Sequence, residues 1–139
     1  MPEKHSGTSA LLDLAADLME EHGWRVGDYF DSSLEDAITS EAEYVGGAMC
    51  TEGAIRAAST LIWMNQSRRN DRNLFTVTRE TRWAMDAVNE LAWGESEKTV
   101  DGDYMPDAIP RWNDGHCCSK EEAVSILRDA AIKTRPDAA

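Results

Sequence analysis

The sequence has no apolar run long enough to cross a membrane, and it is sparing with cysteine. A bilayer span needs about 18 or more consecutive apolar residues, and no window of the chain approaches that length. Residues 1–5, Met-Pro-Glu-Lys-His, lack the apolar core of a secretory signal. The three cysteines, Cys50, Cys117 and Cys118, are an odd number and two are adjacent, which is not the pattern of a disulfide framework. We therefore expect a cytoplasmic protein in a reducing compartment.

Basic residues are also scarce. The chain has 14 Lys and Arg against 26 Asp and Glu, which gives a formal net charge of −12. A field of this sign repels phosphate backbones, so the composition disfavours general nucleic-acid binding. It is compatible with binding a basic protein surface or with imitating nucleic acid to one, and also with solubility alone.

Motifs that mark a known reaction are missing. There is no phosphate-binding glycine loop, serine-centred elbow or zinc-protease motif. Asp101-Gly102-Asp103 with Asp107 has a superficial likeness to a calcium loop, but Pro106 stands where glycine is needed and Trp112 where the bidentate Glu belongs. The consecutive His116, Cys117 and Cys118 do not readily wrap one zinc ion, because paired ligands usually leave two to four residues between them. We expect no metal and no cofactor.

The periodicity of apolar residues predicts an all-α protein of one domain. Helices are predicted from Thr8 or Ser9 to Gly23, over 34–44, over 48–66, from Thr78 to Trp93, and after Ser119. Thr8 or Ser9 would cap the first helix and Ser119, with Glu122, the last. Gly23 and Gly94 are the expected stops, and residues 94–108 form a polar loop. The prediction is a compact bundle of four to five helices with long polar loops over residues 1–139, with disordered tails at 1–7 and 134–139.

Four segments of the chain are similar to a known family. They are Leu11-Leu12-x-x-Ala15-Ala16-x-x-Met19-x-x-His22-Gly23-Trp24, Cys50-x-x-Gly53-Ala54-Ile55-x-x-Ala58, Ile109-x-x-Trp112-Asn113-Asp114, and Ser119-x-Glu121-Glu122-Ala123-x-x-x-Leu127-x-x-Ala130-Ala131. Together they resemble a group of small actinobacterial and actinophage proteins of unknown function. The resemblance implies a bacterial or phage cytoplasmic setting and a compact helical fold. It implies no activity and supplies no catalytic residue.

The segment Trp112-Asn113-Asp114-Gly115 is open to two interpretations. As structure it is a turn, because Asn and Asp bond their own backbone and Gly permits tight geometry, while Trp112 fills the core between the first and last helices. As chemistry, Asp114 and His116 would form an acid/base pair with Cys117 as the nucleophile. The second interpretation describes a small enzyme or a metal- or ligand-binding domain.

The five tryptophans are the main functional lead. Trp63 and Trp93 lie off the apolar stripes of their helices, and Trp83 flanks its stripe. Arg56 shares the side of the helix on which Trp63 lies. Either these helices are packed on both sides, or the indoles bind a partner, since tryptophan is enriched at the energetic centres of interfaces. We predict a non-enzymatic acidic protein that binds a protein partner through Trp63, Trp93, Trp83 and Arg56, as a phage or mobile-element accessory factor modulating a host protein. Association with further copies of the chain stays open.

Overall fold

Helices account for most of the chain in the computed structural model, which describes residues 6–26, 48–68, 74–105, 107–117 and 119–136. They are α1 (Ser6–His22), α2 (Thr51–Arg68), α3 (Leu74–Trp93), α4 (Ala108–Gly115) and α5 (Lys120–Thr134). Within these ranges only two isolated β-bridges occur, Trp24 with Met49 and Lys98 with Tyr104. The predicted compact all-α bundle is therefore confirmed. The helix predicted over 34–44 lies outside the described residues.

The core forms where α1 packs against α5, α2 and α3. Large apolar residues such as Leu11, Met19, Ile55 and Leu127 are buried together, with many alanines between them. Alanine has little side chain to separate two helices, so their backbones approach closely. Arg128 of α5 joins this interface at its edge, where it forms ion pairs with three carboxylates on α1: Asp13, Asp17 and Glu20.

The structure confirms the predicted helix ends at three places. Gly23 and Gly94 have positive φ angles of 101° and 61°, the conformation that a glycine stop allows. The Ser119 hydroxyl accepts a hydrogen bond from the Glu122 backbone N–H at 3.2 Å, which is one half of the predicted capping box.

The predicted start of α1 is wrong. The helix begins at Ser6, so residues expected to cap it or to precede it are helical. Ser9 is buried and donates its hydroxyl to the Ala131 carbonyl oxygen at 2.8 Å. The buried carboxylate of Glu80, from α3, lies against Gly7, where its Oε2 atom leaves no room for a side chain. A carboxylate is favoured there by the positive end of the helix dipole.

The turn predicted at Trp112-Asn113-Asp114-Gly115 is instead the second half of α4. Within this segment Asn113 is fully buried, and its side chain forms several hydrogen bonds. The Asn113 Oδ1 atom accepts hydrogen bonds from the Trp24 indole at 2.7 Å, the Thr51 backbone N–H at 2.9 Å and the Thr51 hydroxyl at 2.6 Å. Its Nδ2 atom donates to the Arg25 carbonyl oxygen at 3.0 Å. Asn113 thus bonds mainly to distant parts of the chain, with one further hydrogen bond to its neighbour Asp114.

We expect Asn113→Ala to lower the free energy of unfolding by at least about 3 kcal/mol, because it leaves several buried polar groups without partners. Urea denaturation followed by circular dichroism measures this. Asp114→Ala, a change at the exposed neighbour, is the control and should cost less than about 1 kcal/mol. Equal losses for the two variants would contradict the central role of Asn113.

Candidate functional site

A polar cleft of about 430 Å³ lies between α2, α3 and the segment that connects α3 to α4. From α2 it takes Glu52, Arg56 and Ser59, which lie on one side of the helix because they are spaced four and three residues apart. From α3 and the connecting segment come the remaining lining residues: Thr78, Thr81, Arg82, Met85, Asp86, Asn89, Asp103, Tyr104 and Met105, with Ile109 from α4. The hydroxyls of Ser59 and Thr81 are 2.7 Å apart and join the two helices across the cleft.

The third wall is the predicted polar loop, which folds back on itself as a hairpin through a single bridge between Lys98 and Tyr104. The Thr99 N–H donates to the Asp103 carbonyl oxygen at 2.7 Å, and Gly102 turns the chain with a φ of 88°. The Tyr104 hydroxyl donates to the Gly94 carbonyl oxygen at 2.7 Å, and the Lys98 ammonium lies 5.1 Å from the Tyr104 ring centroid. These contacts fix the hairpin at the mouth of the cleft.

The charges that line the cleft are mostly paired. Glu52 is only 3% exposed, and its Oε2 atom lies 3.1 Å from Arg56 Nε. Arg82 contacts Asp103 at 3.0 Å. Within the described ranges Asp86 has no ion pair. Burial raises the pKa of the Asp86 carboxyl, and the positive charge of Arg82 offsets part of that rise.

Asn89 lines the same cleft and is 5% exposed. Its Oδ1 atom is buried and accepts no hydrogen bond from the part of the chain that the structure describes. A buried acceptor without a donor costs about 1–3 kcal/mol. Asn89 thus brings to the cleft lining a buried carbonyl oxygen that accepts no hydrogen bond from the described residues.

Of the predicted partner-binding residues, the structure places Arg56 in the cleft. Trp63, Trp83 and Trp93 are half-buried and lie outside its lining. Trp83 carries the Arg79 guanidinium 5.0 Å from its ring centroid. The face of α2 that was expected to point away from the core bears the buried Glu52 and packs towards α3.

Trp93 is held by α4. Its indole N–H donates to the Ala108 carbonyl oxygen at 2.9 Å. The His116 ring meets it edge-on with centroids 4.9 Å apart, and the Arg111 guanidinium lies 5.8 Å from its centroid. A second packed layer thus accounts for the position of Trp93 off the core stripe.

The residues of the alternative site, Asp114, His116 and Cys117, each contact a residue outside the three. Asp114 accepts a hydrogen bond from the Asn113 side chain at 3.0 Å, while the exposed His116 packs on Trp93. Cys117 is buried and its thiol donates to the Ser119 carbonyl oxygen at 3.3 Å. An attacking thiolate would carry no such proton. Among the described residues no group of three His, Cys, Asp or Glu side chains is placed to hold a metal ion, and Cys118 lies outside them.

Sequence reasoning missed Asp86 and Asn89. The spacing of Ala84, Ala87, Val88 and Leu91 predicts one core stripe on α3, yet Leu91 is exposed and Asn89 is buried. The true buried side of α3 is wider than one stripe, because α2 and α4 cover it from different directions. The available signal for the site was Asn89, a polar residue within this widened buried side of α3.

The described elements make this an α-helical protein with a cleft between α2 and α3. A sequence model of the family of unknown function DUF6197 matches residues 4–133, and the chain belongs to that family. No curated protein and no solved structure matches the chain. No helix within the described ranges is long and apolar enough to span a bilayer.

We expect Trp93→Ser to lower the free energy of unfolding by about 2–3 kcal/mol, less than a fully buried tryptophan would cost. The variant loses the bond to Ala108 and the packing against His116. Trp93→Phe, which keeps a ring but no N–H, should lose about half as much. Urea melts measure both. If Trp93→Ser is as stable as wild type, the packing of Trp93 on α4 does not stabilise the fold, and its indole is again a candidate for binding a partner.

We expect Asp86→Asn to stabilise the protein at pH values above the raised pKa of the Asp86 carboxyl, where the buried carboxylate is ionised. The folded state raises the pKa of this acid, so its ionisation disfavours folding as pH rises. The gain should shrink as pH falls through the raised pKa towards about pH 4, because the wild-type carboxyl then becomes protonated. Thermal melts at several pH values test this, and a gain that is constant over pH would contradict it.

Proposed function

We propose that this chain is a non-enzymatic binding protein that takes a side chain of a protein partner into the cleft between α2 and α3. The observation that carries the proposal is the unpartnered, buried Oδ1 atom of Asn89 beside an arrangement of paired charges. Pairs formed in advance hold the cleft rigid, and a rigid site loses little conformational freedom when it binds.

The charge of the protein supports a basic partner. A net charge of −12 raises the encounter rate with positively charged surfaces and lowers it with nucleic acids. Arg56 lies in the cleft, and Trp63 follows it by two helical turns on the same side of α2. In this proposal Trp63 contacts the partner beyond the end of the cleft, and Trp83 does so from α3.

The setting we infer is the bacterial cytoplasm, with a role as a phage or mobile-element accessory factor that modulates a host protein. The resemblance to small actinobacterial and actinophage proteins supports this setting. The contacts within the cleft support the binding role independently of it.

The test compares two arginines with matched surroundings. The side chains of Arg56 and Arg135 are 51% and 48% exposed, and each forms an ion pair with a carboxylate. Only Arg56 lines the cleft. A partner identified by affinity capture and then purified is titrated against wild type, Arg56→Gln and Arg135→Gln by calorimetry.

We expect Arg56→Gln to weaken binding by about tenfold or more, since it leaves the buried Glu52 without its ion pair and removes a contact that holds the cleft rigid. Arg135→Gln should change the affinity by less than about threefold. Circular dichroism must show native helicity for both variants. Equal effects of the two substitutions, or none, would mean that the partner binds elsewhere.

A further inference from the structure

We propose that the group recognised in the cleft is a guanidinium or ammonium cation, with Asp86 and Asn89 as its acceptors. The inference rests on the proposed binding function and specifies the chemistry of the ligand. It follows from the charge balance of the cleft, the acceptors left without donors, and the apolar surface beside them.

The charge balance favours a cation. The cleft is lined by three carboxylates, Glu52, Asp86 and Asp103, and by two arginines. Each arginine is already paired, Arg56 with Glu52 and Arg82 with Asp103. An anionic ligand would add a further negative charge to a lining in which carboxylates already outnumber arginines and Asp86 has no ion pair with any described residue. A cation instead compensates Asp86 and disturbs neither pair.

The hydrogen-bonding groups of the cleft also favour a cation, because the groups without partners among the described residues are acceptors. Asp86 and Asn89 are three residues apart on α3, so their side chains are neighbours on the helix surface. The carboxylate accepts only, and the unpartnered atom of Asn89 is its carbonyl oxygen. Guanidinium and ammonium groups donate only, and a planar guanidinium can reach two acceptors at once.

The apolar part of the lining suits a cation on a hydrocarbon stem. Met85, Met105 and Ile109 belong to the cleft together with the two acceptors. Methylene groups of an arginine or lysine side chain pack on such surfaces while the charged end reaches polar atoms. A bare metal ion would leave this surface unused.

The experiment is a titration of the isotope-labelled full chain, followed by NMR at low salt. The probes are arginine amide and its uncharged isostere citrulline amide, both with the α-amino group acetylated so that only the side chain can carry charge, and inorganic phosphate. The variants are Asp86→Asn, Asn89→Leu and Asp101→Asn. Asp101 is exposed and does not line the cleft, so its variant removes the same charge outside the site.

We expect arginine amide to shift resonances of residues 82–89 and 103–105, and citrulline amide and phosphate to leave them unmoved. Asp86→Asn and Asn89→Leu should each lower the affinity for arginine amide by about tenfold or more. Asp101→Asn should lower it by less than about twofold. Equal binding of citrulline amide, preferential binding of phosphate, or equal effects of Asp86→Asn and Asp101→Asn would overturn the inference.

A short peptide containing one arginine separates the sources of the cation. Tighter binding of the peptide than of arginine amide supports a side chain of a protein partner. Equal affinity supports the cation chemistry with a free amine or guanidine as the ligand, and contradicts the proposed protein partner. Loss of partner binding in Arg56→Gln, with no arginine amide binding to wild type, leaves the binding function standing and removes only the cation.

Discussion

The Asn113 side chain joins parts of the chain that are far apart in sequence. The geometry of the cleft depends on these hydrogen bonds, because they fix the position of α2. The Asn113 oxygen accepts from Trp24, just after α1, and from Thr51, the first residue of α2. The donors at Trp24 and at the Thr51 backbone are N–H groups that cannot accept, so the orientation of the amide is determined. Fixing Thr51 also fixes the rotation of α2. That rotation turns Glu52 and the residues that follow on the same side towards α3.

Patterns within a single helix were sufficient to predict most of the fold. Periodic apolar residues located α1, α2, α3 and α5, and local backbone chemistry located the stops at Gly23 and Gly94 and the cap at Ser119. These features depend on neighbours within one or two turns, which the sequence displays directly. Such signals failed at α4, because Asn, Asp and Gly are poor helix formers. There the buried hydrogen bonds of Asn113 outweigh the local preference for a turn.

The candidate site was less accessible to sequence reasoning because it depends on contacts between elements. Asp86 and Asn89 become a site only when α2 and the 94–105 hairpin cover the same side of α3. No spacing within α3 reveals that cover. The position of Trp93 has the same cause, since α4 forms a second layer over a residue that a single core stripe leaves outside. Arg56 was identified from its side of α2, although the prediction placed that side away from the core.

Asp86 and Asn89 lower the stability of the free protein, so their presence in the cleft needs an explanation. An apolar residue at position 89 would avoid an unpartnered carbonyl oxygen, and a neutral residue at 86 would avoid desolvating a carboxylate. A chain selected for stability alone gains nothing from either group. The free energy is recovered only when another molecule supplies the missing donors, because a ligand that binds the folded state stabilises it. In the proposed binding function, the ligand supplies those donors.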